Sequence, residues 1–588
     1  MENFNRIESL VSVLDKRIKA QIPELNSLSS SLTPARNDFF QLKMFIDILW
    51  NAIHILKTAI REESPDGVRV YINDKSSDNQ TPWAGWEPEE SEYATALTLP
   101  GWNIPIDIQR SKDVREKNEG KNNSHSEQFL QKRWVALKKT GARSFRSSTL
   151  LDFFIIGTRM GTAAAITSMW HSLRRSGKKP ILIYGTGYPG AYNWDDALPA
   201  LYQEGVGPVF RITDQDITSR LPDLTQYIHI ATELCESSQE LRMLSRFMGI
   251  DTSRFLVERV SQSIGCSIAQ SLTAYSLCRD ILNQHHIRCL LFSVRMRPSG
   301  NAIVQAAHDA GIPVIGWQHG AAGYCYHPMM AYLEYLNTDY HLVFGKGVAE
   351  SFQKTLIRLG MECSTKFVPV GSSSLDLLLQ KTMRKIPEYR NRSVLYITTM
   401  YLNNRYYFSD RLNHSASDEI LWDIQKNVLD LAHLHKDVKF TVKLHHSAMD
   451  YPLVQQYAAD KRIQNVTFVI NEKTVPELID EAGIILFDLN STGLLQALCT
   501  KKPVFVFTGL DNHEIGTINL LKKRAFVYDR PDSFIGAIDT FLCGKITESV
   551  VDFSNTEFLL KYGTYLNDGL SGQRAAQCVN RIITQNDN

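Results

Sequence analysis

From about Leu150 onward, short apolar runs alternate with amphipathic stretches. A parallel α/β sheet imposes this pattern, because its strands are covered on both faces. In a first series, DFFIIG (152–157), PILIYG, GPVFRI, RCLLFSV, PVIGWQ and YHLVFG predict buried strands, and KFVPVG leads out of the series. After DFFIIG come the turn TRMG and the stretch TAAAITSMWHSLRRSG, which sets Ala163, Ile166, Met169, Trp170 and Leu173 on one helical face. Strand, Gly-flanked turn and helix together predict a first βαβ unit. A second series opens at SVLYIT (393–398) and runs through KFTVKLHH, VTFVIN, GIILFD, PVFVFT and AFVYDR, with helices such as ILWDIQKNVLDLAHL between them. Each series has the length of an independent domain. The pattern predicts an α/β chain of two doubly wound, Rossmann-like domains in tandem, over 146–370 and 371–545, with a helical tail over 546–588.

The region 1–145 reads differently, as mainly helical and then irregular. Phe39 to Ile60 repeats apolar residues at helical spacing, with Lys43, Asp47, Asn51, His54 and Lys57 on a narrower polar stripe. That predicts a helix buried on most sides in a small bundle; a membrane-surface or partner helix is the other reading. From Ser76 to Arg143 the periodicity breaks down. Trp83, Trp86 and Trp102 stand among Pro and Gly, and RSKDVREKNEGKNNSHSEQ predicts a solvated or mobile loop.

Composition changes this picture mainly by exclusion. At 588 residues the chain is too long for one core. Its 64 Lys+Arg against 63 Asp+Glu leave a net charge of +1, with no general pull toward nucleic acid. Nine cysteines without CxxC pairs predict reduced thiols, no zinc site and an intracellular, cytoplasmic chain. No stretch offers the ~18 to 20 uninterrupted apolar residues of a membrane span, and MENFNRIESLVSVLDKR lacks signal-peptide order. A peripheral seat on the inner face of the membrane is left open.

Open parallel sheets bind ligands outside the carboxyl ends of their strands, so candidate chemistry is sought there. PVIGWQ ends in Gln318 and His319, followed by Gly320, Ala321, Ala322 and Gly323, small residues that leave room for a substrate. An imidazole there suits proton abstraction from a hydroxyl near neutral pH; a histidine bonded to a loop carbonyl is the bland alternative. VKLHHSAMD places Lys443 and His445 on one face by the period of two, a cation and an imidazole suited to a phosphate leaving group. In FDLNSTG, Asn490, Ser491, Thr492 and Gly493 open a helix whose free N–H groups suit a diphosphate, although Ser491 as a plain N-cap fits too. TTMYLNNRYY adds Thr399, Asn404 and Arg405 as phosphate candidates, and DNHEIGT adds Glu514 for a ribose or sugar hydroxyl. On the first domain, Gly157, Arg159 and Gly161 of TRMG, Gln318, Gly320, and Arg295 and Arg297 of SVRMRPSGN are acceptor-side candidates; ion pairing explains the arginines equally well. TRMG lacks the GxGxxG pattern, so neither a nicotinamide nor any other cofactor is expected, and no metal.

Taken in order, AAHDAGIPVIGWQHG, DYHLVFGKGVAESFQ, FVPVGSSSLD, VKLHH and DLNSTGLLQALCTKKPVFVF resemble bacterial capsule and surface-polysaccharide glycosyltransferases of the GT-B fold. They are also similar to the CDP-glycerol glycerophosphotransferases that build teichoic acids. The ending YLNDGLSGQR (565–574) looks like the tail of surface-carbohydrate proteins, so the resemblance spans roughly 150–585. It implies essential histidines at His319 and His445 and a donor diphosphate held at Ser491 and Thr492. Two departures stand out: Gln318 separates Trp317 from the histidine, and Gln496 lies where many such enzymes carry a glutamate. The implied activity is metal-independent transfer of a sugar from a nucleotide donor, UDP-linked or CMP/CDP-linked, to a glycan or lipid-linked acceptor hydroxyl. A CDP-polyol phosphotransferase, a sugar-nucleotide epimerase and a non-catalytic GT-B scaffold are the alternatives.

Overall fold

The computed structural model describes residues 2–28, 32–63, 65–73, 96–97, 99–111, 149–174, 179–185, 193–295, 297–320, 323–328, 330–383, 393–399, 417–445, 453–545 and 551–586. The stretch 112–148, which includes most of the expected loop, lies outside them, as do Trp83, Trp86, Asn404, Arg405 and His446.

The N-terminal region holds helices Glu2–Gln21, Pro34–Asn37 and Phe39–Glu63, and a parallel ribbon of β1 (Val68–Asn73) with β2 (Ile106–Ser111). β2 falls inside the stretch read as irregular, because its alternation covers only six residues between Pro and polar sequence. The helix expected from Phe39 is there. Phe39, Leu42, Ile46, Leu49 and Ile53 are buried and share one core with Leu182, Tyr184 and Ile303 of the first α/β domain.

The first sheet contains β3 (Ile181–Gly185) and β4 (Val209–Thr213). A short antiparallel pair, β5 (Arg246–Phe247) and β6 (Ile250–Asp251), then precedes the long helix Ser253–His285. β7 (Cys289–Phe292), β8 (Val314–Trp317), β9 (Tyr340–Val343) and β10 (Lys366–Pro369) complete the sheet in the order β10-β9-β8-β7-β3-β4, parallel throughout. KFVPVG is thus the edge strand of this sheet. The second sheet contains β11 (Ser393–Ile397), β12 (Lys439–Lys443), β13 (Val466–Val469), β14 (Ile484–Phe487), β15 (Val504–Phe507) and β16 (Phe526–Tyr528). Its order, β13-β12-β11-β14-β15-β16, is again all parallel. Counted within that domain the order is 3-2-1-4-5-6, that of a dinucleotide-binding fold. Both strands flanking its reversal point, β11 and β14, are apolar runs covered on both faces.

One predicted strand is a helix. DFFIIG lies within Thr149–Met160, and Gly161, at φ +94°, turns the chain into the next helix, Thr162–Arg174. A six-residue apolar run fits either element, and Leu150 and Leu151 extend this one to helical length. Helical geometry also lets buried Asp152 accept a hydrogen bond from the Tyr202 hydroxyl at 2.6 Å and pair with the Arg211 guanidinium at 3.0 Å. The first βαβ unit therefore begins at β3. The helix Thr162–Arg174 forms as expected, but Ile166, Met169 and Trp170 are exposed on it instead of packing in a core.

After the second sheet the chain returns to the first domain. Helix Ser571–Asn586 buries Ala575, Ala576, Val579 and Ile583 in the core that holds Trp194, Leu198 and Leu201. The Ser571 amide donates to Asp376 at 2.6 Å, and Lys179 Nζ donates to the Thr584 hydroxyl at 2.8 Å.

A close helix crossing gives a test of this packing. A Cβ on Gly265, within Ser253–His285, would sit 2.7 Å from Ile228 Cα on helix Thr225–Glu236. Gly265→Ala is expected to lower unfolding free energy by about 1–3 kcal/mol in denaturant titration. Gly516→Ala, where nothing lies within 4 Å of the added carbon, is the neutral or mildly stabilising control.

Candidate active site

Every residue of β8 is buried, and Gly316 in its middle has a steric cause. Its neighbour in register is His341 of β9, and a Cβ on Gly316 would come 2.4 Å from His341 Nδ1. The glycine makes room for a fully buried imidazole. At the end of β8, Trp317 Nε1 donates to Gly371 O at 3.1 Å, and the Gln318 amide donates to Leu342 O at 2.9 Å. The Gln318 side chain accepts from the Phe344 amide at 2.9 Å and donates to Gly320 O at 2.7 Å, while its backbone carbonyl accepts from Asn193 Nδ2 at 2.9 Å. Gln318 is fully buried, so it builds the ledge and does not face an acceptor.

His319 stands on that ledge with 28 % of its side chain exposed. Its Nδ1 lies 2.5 Å from Glu334 Oε1, and the other oxygen of Glu334 lies 3.4 Å from His341 Nε2. Glu334 has no solvent exposure. It projects from a π-helical turn, Ala331–Tyr335, closed by the Leu336 amide donating to Ala331 O at 2.8 Å; such turns recur at functional sites. Burial works to raise the Glu334 pKa, but the charge and hydrogen bond of His319, with help from His341, bring it down to about 2. Burial disfavours the His319 cation, yet Glu334 outweighs it and raises the imidazole above its ordinary value. Burial lowers His341 and keeps it neutral. Arg295 is buried too: its guanidinium donates to Leu336 O at 2.5 Å, Tyr332 O at 3.4 Å and Asn301 Oδ1 at 3.1 Å. It braces the π-turn and is out of reach of an acceptor.

On the second sheet, β11 and β14 diverge at the switch point where open sheets bind ligands. There the Thr399 amide donates to Asp488 Oδ1 at 2.8 Å, and the Tyr396 hydroxyl and Gln425 amide donate to Oδ2 at 2.8 and 3.2 Å. Burial nevertheless raises Asp488 to about 6. Asn490 is buried and donates to Asp511 at 2.8 Å. Ser491 occupies the N-cap of helix Thr492–Leu498 in extended conformation, without a side-chain cap bond, and Gly493 lets the helix start approach the Phe487 ring. Lys443 Nζ donates to Leu444 O at 2.9 Å and Ile470 O at 2.5 Å, and partial burial lowers its pKa. His445 is half-buried two residues past β12, at the same carboxyl rim.

The two rims meet. A Cβ on Gly320 would lie 2.9 Å from Thr492 Oγ1, so the His319 ledge and the helix start at Ser491 are neighbours. The following loop is bonded across the divide: the Tyr324 hydroxyl donates to Ser491 O at 3.1 Å, His513 Nδ1 lies 3.0 Å from Tyr324 O, and the Tyr326 amide donates to Asn512 O at 2.9 Å. Beside this loop lies a cavity of about 330 Å³, lined from both domains by Tyr326, Lys354, Arg358, His513 and Glu514 among others. Glu514 pairs with Lys354 at 2.9 Å across the domains. His319 is not among the cavity's lining residues.

The remaining candidates are not gathered here. Gly157 and Arg159 lie in helix Thr149–Met160 and Gly161 in the turn after it, with Arg159 paired to Asp196. Arg297 faces Asp214 at 3.8 Å, and Arg405 lies outside the described residues. Sequence reading missed Glu334 and His341. A single acid within the apolar stretch AYLEYL was the available signal, since such an acid in a core segment needs a partner. Away from this site, His435, Asp539 and Cys543 place ligand-type atoms within 4.8 Å of one another, with His435 Nε2 bonded to Asp539 at 2.7 Å.

No protein-family model matches the chain, and no curated protein matches it. Among solved structures it is similar to the UDP-GlcNAc 2-epimerase of Neisseria meningitidis bound to UDP-GlcNAc, at 15 % identity over 69 % of this chain and 100 % of that one, TM-score 0.41. The Methanocaldococcus jannaschii UDP-GlcNAc 2-epimerase gives 14 %, 69 % and 100 %, TM-score 0.39. MurG of Acinetobacter baumannii gives 12 %, 69 % and 100 %, TM-score 0.33. The architecture rests on the strand orders above: two Rossmann-like domains with apposed carboxyl rims, the GT-B arrangement.

The rim contact is open to direct test. Gly320→Val would wedge the ledge against Thr492, and any turnover assigned to this cleft is expected to fall at least tenfold with a near-unchanged melting temperature. Equal activity in this variant would mean that the two rims do not work together.

Proposed function

We propose that the chain is a glycosyltransferase moving a sugar from a nucleotide-activated donor to an acceptor hydroxyl, in the building of a bacterial surface polysaccharide or glycoconjugate. One observation carries this reading: the His319 imidazole, held by buried Glu334, stands one residue from the contact between Gly320 and Thr492. A positioned base on one domain beside a phosphate seat on the other is what group transfer between two bound substrates requires.

In this mechanism the donor, UDP-linked or CMP/CDP-linked, rests on the second domain with its diphosphate at the backbone N–H groups of Ser491 and Thr492. Asn490, Gly493 and Thr399 shape that seat, and Glu514 meets a sugar or ribose hydroxyl. A glycan or lipid-linked acceptor approaches the first rim past Gly320. With Nδ1–H on Glu334, His319 receives the acceptor proton at Nε2 while the acceptor oxygen bonds the anomeric carbon and the bond from that carbon to phosphate oxygen breaks. Direct displacement of this kind inverts the anomeric configuration. Glu334 stabilises the imidazolium, and Lys443 and His445 offset charge on the departing nucleotide. No step calls on a metal ion.

Four outcomes test this, measured on a panel of UDP-sugars, CMP-sugars and CDP-glycerol. His319→Ala should lower kcat/KM by roughly 10²–10⁴-fold, and EDTA should leave the wild-type rate unchanged. A base works when deprotonated, so kcat/KM should rise with pH through a midpoint above the ordinary 6.5 of histidine. Glu334→Gln removes the interaction that raises His319 and leaves the burial that lowers it, so the midpoint should move to lower pH. An unmoved midpoint in Glu334→Gln, or full activity in His319→Ala, would count against the reading.

A further inference from the structure

The cluster of His435, Asp539 and Cys543 sits at the rim of the second sheet opposite the cleft. β11 and β12 are parallel, so helix Ser417–Leu434 between them runs from the carboxyl rim back to the amino rim. His435 directly follows this helix and precedes β12. Helix Pro531–Leu542 meets it there, with His435 Nε2 2.7 Å from Asp539 Oδ1. Asp539 and Cys543 are related as i and i+4, which puts them one turn apart on the same face. One nitrogen, one carboxylate oxygen and one sulfur from the three residues all lie within 4.8 Å of one another.

An ordinary surface ion pair accounts for His435 and Asp539 but not for the thiol beside them. Cysteine is among the side chains most often buried. Of the nine in this chain six are buried and two partly buried, and Cys543 alone is exposed. The backbone that presents the three side chains is fixed. Asn465 Nδ2 donates to Ala432 O at 2.8 Å and to Val438 O at 2.7 Å, closing the turn that carries His435. The Cys543 amide donates to Asp539 O at 3.0 Å and keeps the thiol in helical register. Both helices end at this point, where the negative ends of their backbone dipoles favour a cation.

We propose that His435, Asp539 and Cys543 bind a divalent metal ion of the zinc type, with water as the fourth ligand. Imidazole nitrogen, carboxylate oxygen and thiolate sulfur are donors that Zn²⁺ takes, whereas Ca²⁺ and Mg²⁺ call for oxygen throughout. Bonds of about 2.0–2.3 Å set tetrahedral ligand atoms roughly 3.3–3.7 Å apart. The ion therefore parts His435 from Asp539 slightly and draws the sulfur inward, while the thiol gives its proton to solvent. The histidine and the helical pair stand 104 residues apart, so no close spacing marks the site, and the sequence alone predicts no zinc. The ion joins the ends of two helices. One of them, Ser417–Leu434, also carries Gln425, whose amide holds Asp488 at the switch point, so the metal steadies that helix from its far end. Sitting on the rim away from His319 and Ser491, it takes no part in the proposed transfer step.

The test is titration of the tag-free full chain, first stripped with a chelator, with Co²⁺ and then Zn²⁺. It needs neither donor nor acceptor, so its result is independent of the catalytic reading. One Co²⁺ per chain is expected, with a thiolate-to-cobalt charge-transfer band that an equivalent of Zn²⁺ abolishes. Zn²⁺ at about a hundredfold above its dissociation constant should raise the melting temperature by roughly 5 °C. Cys543→Ser should remove the band and leave the melting temperature of the metal-free protein unchanged. His435→Ala should weaken Co²⁺ binding by at least the ~10- to 100-fold that loss of an outer partner of a metal site costs. Absence of both band and thermal shift in the wild-type chain, or a band that survives in Cys543→Ser, overturns the proposal. So does one Co²⁺ per two chains with doubled mass in light scattering, which makes the ion a bridge between copies.

Discussion

The first domain is organised around one buried negative charge. A carboxylate without solvent costs several kcal/mol unless opposite charge and hydrogen bonds meet it. Around Glu334 several otherwise odd features follow from this requirement. His319 supplies the charge at 2.5 Å, and His341 supplies a second imidazole on the far oxygen. Gly316 gives up its side chain so that His341 fits between strands, and the widened turn Ala331–Tyr335 aims the acid inward. Arg295 then secures two carbonyls around that turn. The result is an imidazole whose ring plane and tautomer are fixed from behind while its outer edge stays at the surface.

The second domain contributes a different kind of order. At its switch point buried Asp488 gathers Tyr396, Gln425 and the Thr399 amide, fixing the strand ends from which the Asn490–Gly493 turn departs. Neither half makes a complete site. What joins them is the Tyr324–Tyr326 segment, which belongs to the first domain but bonds Ser491, Asn512 and His513 of the second, with the Tyr324 ring set against Phe558 and Tyr562.

Much of the scaffold was legible because it rests on local rules. Strands buried on both faces must be apolar throughout, so VIGW, IILF and VFVF announce themselves, and His319 and Ser491 stand where strand ends place them. What could not be read depends on partners distant in sequence. Glu334 is meaningful only beside His319 and His341, and the glycine in β8 only beside β9. Gln318 looks like a ligand contact until Phe344 and Gly320 claim its amide. DFFIIG was misjudged because six apolar residues carry no period of their own; Asp152, with partners at Tyr202 and Arg211, decides in favour of a helix. The helix after it kept its period but not its direction, since periodicity reports that a face is apolar and not what covers it.

The return of helix Ser571–Asn586 to the first domain has a mechanical consequence. The polypeptide passes between its halves twice, once between β10 and β11 and again after helix Pro531–Leu542. Severing the chain at either passage would leave the halves tethered by the other.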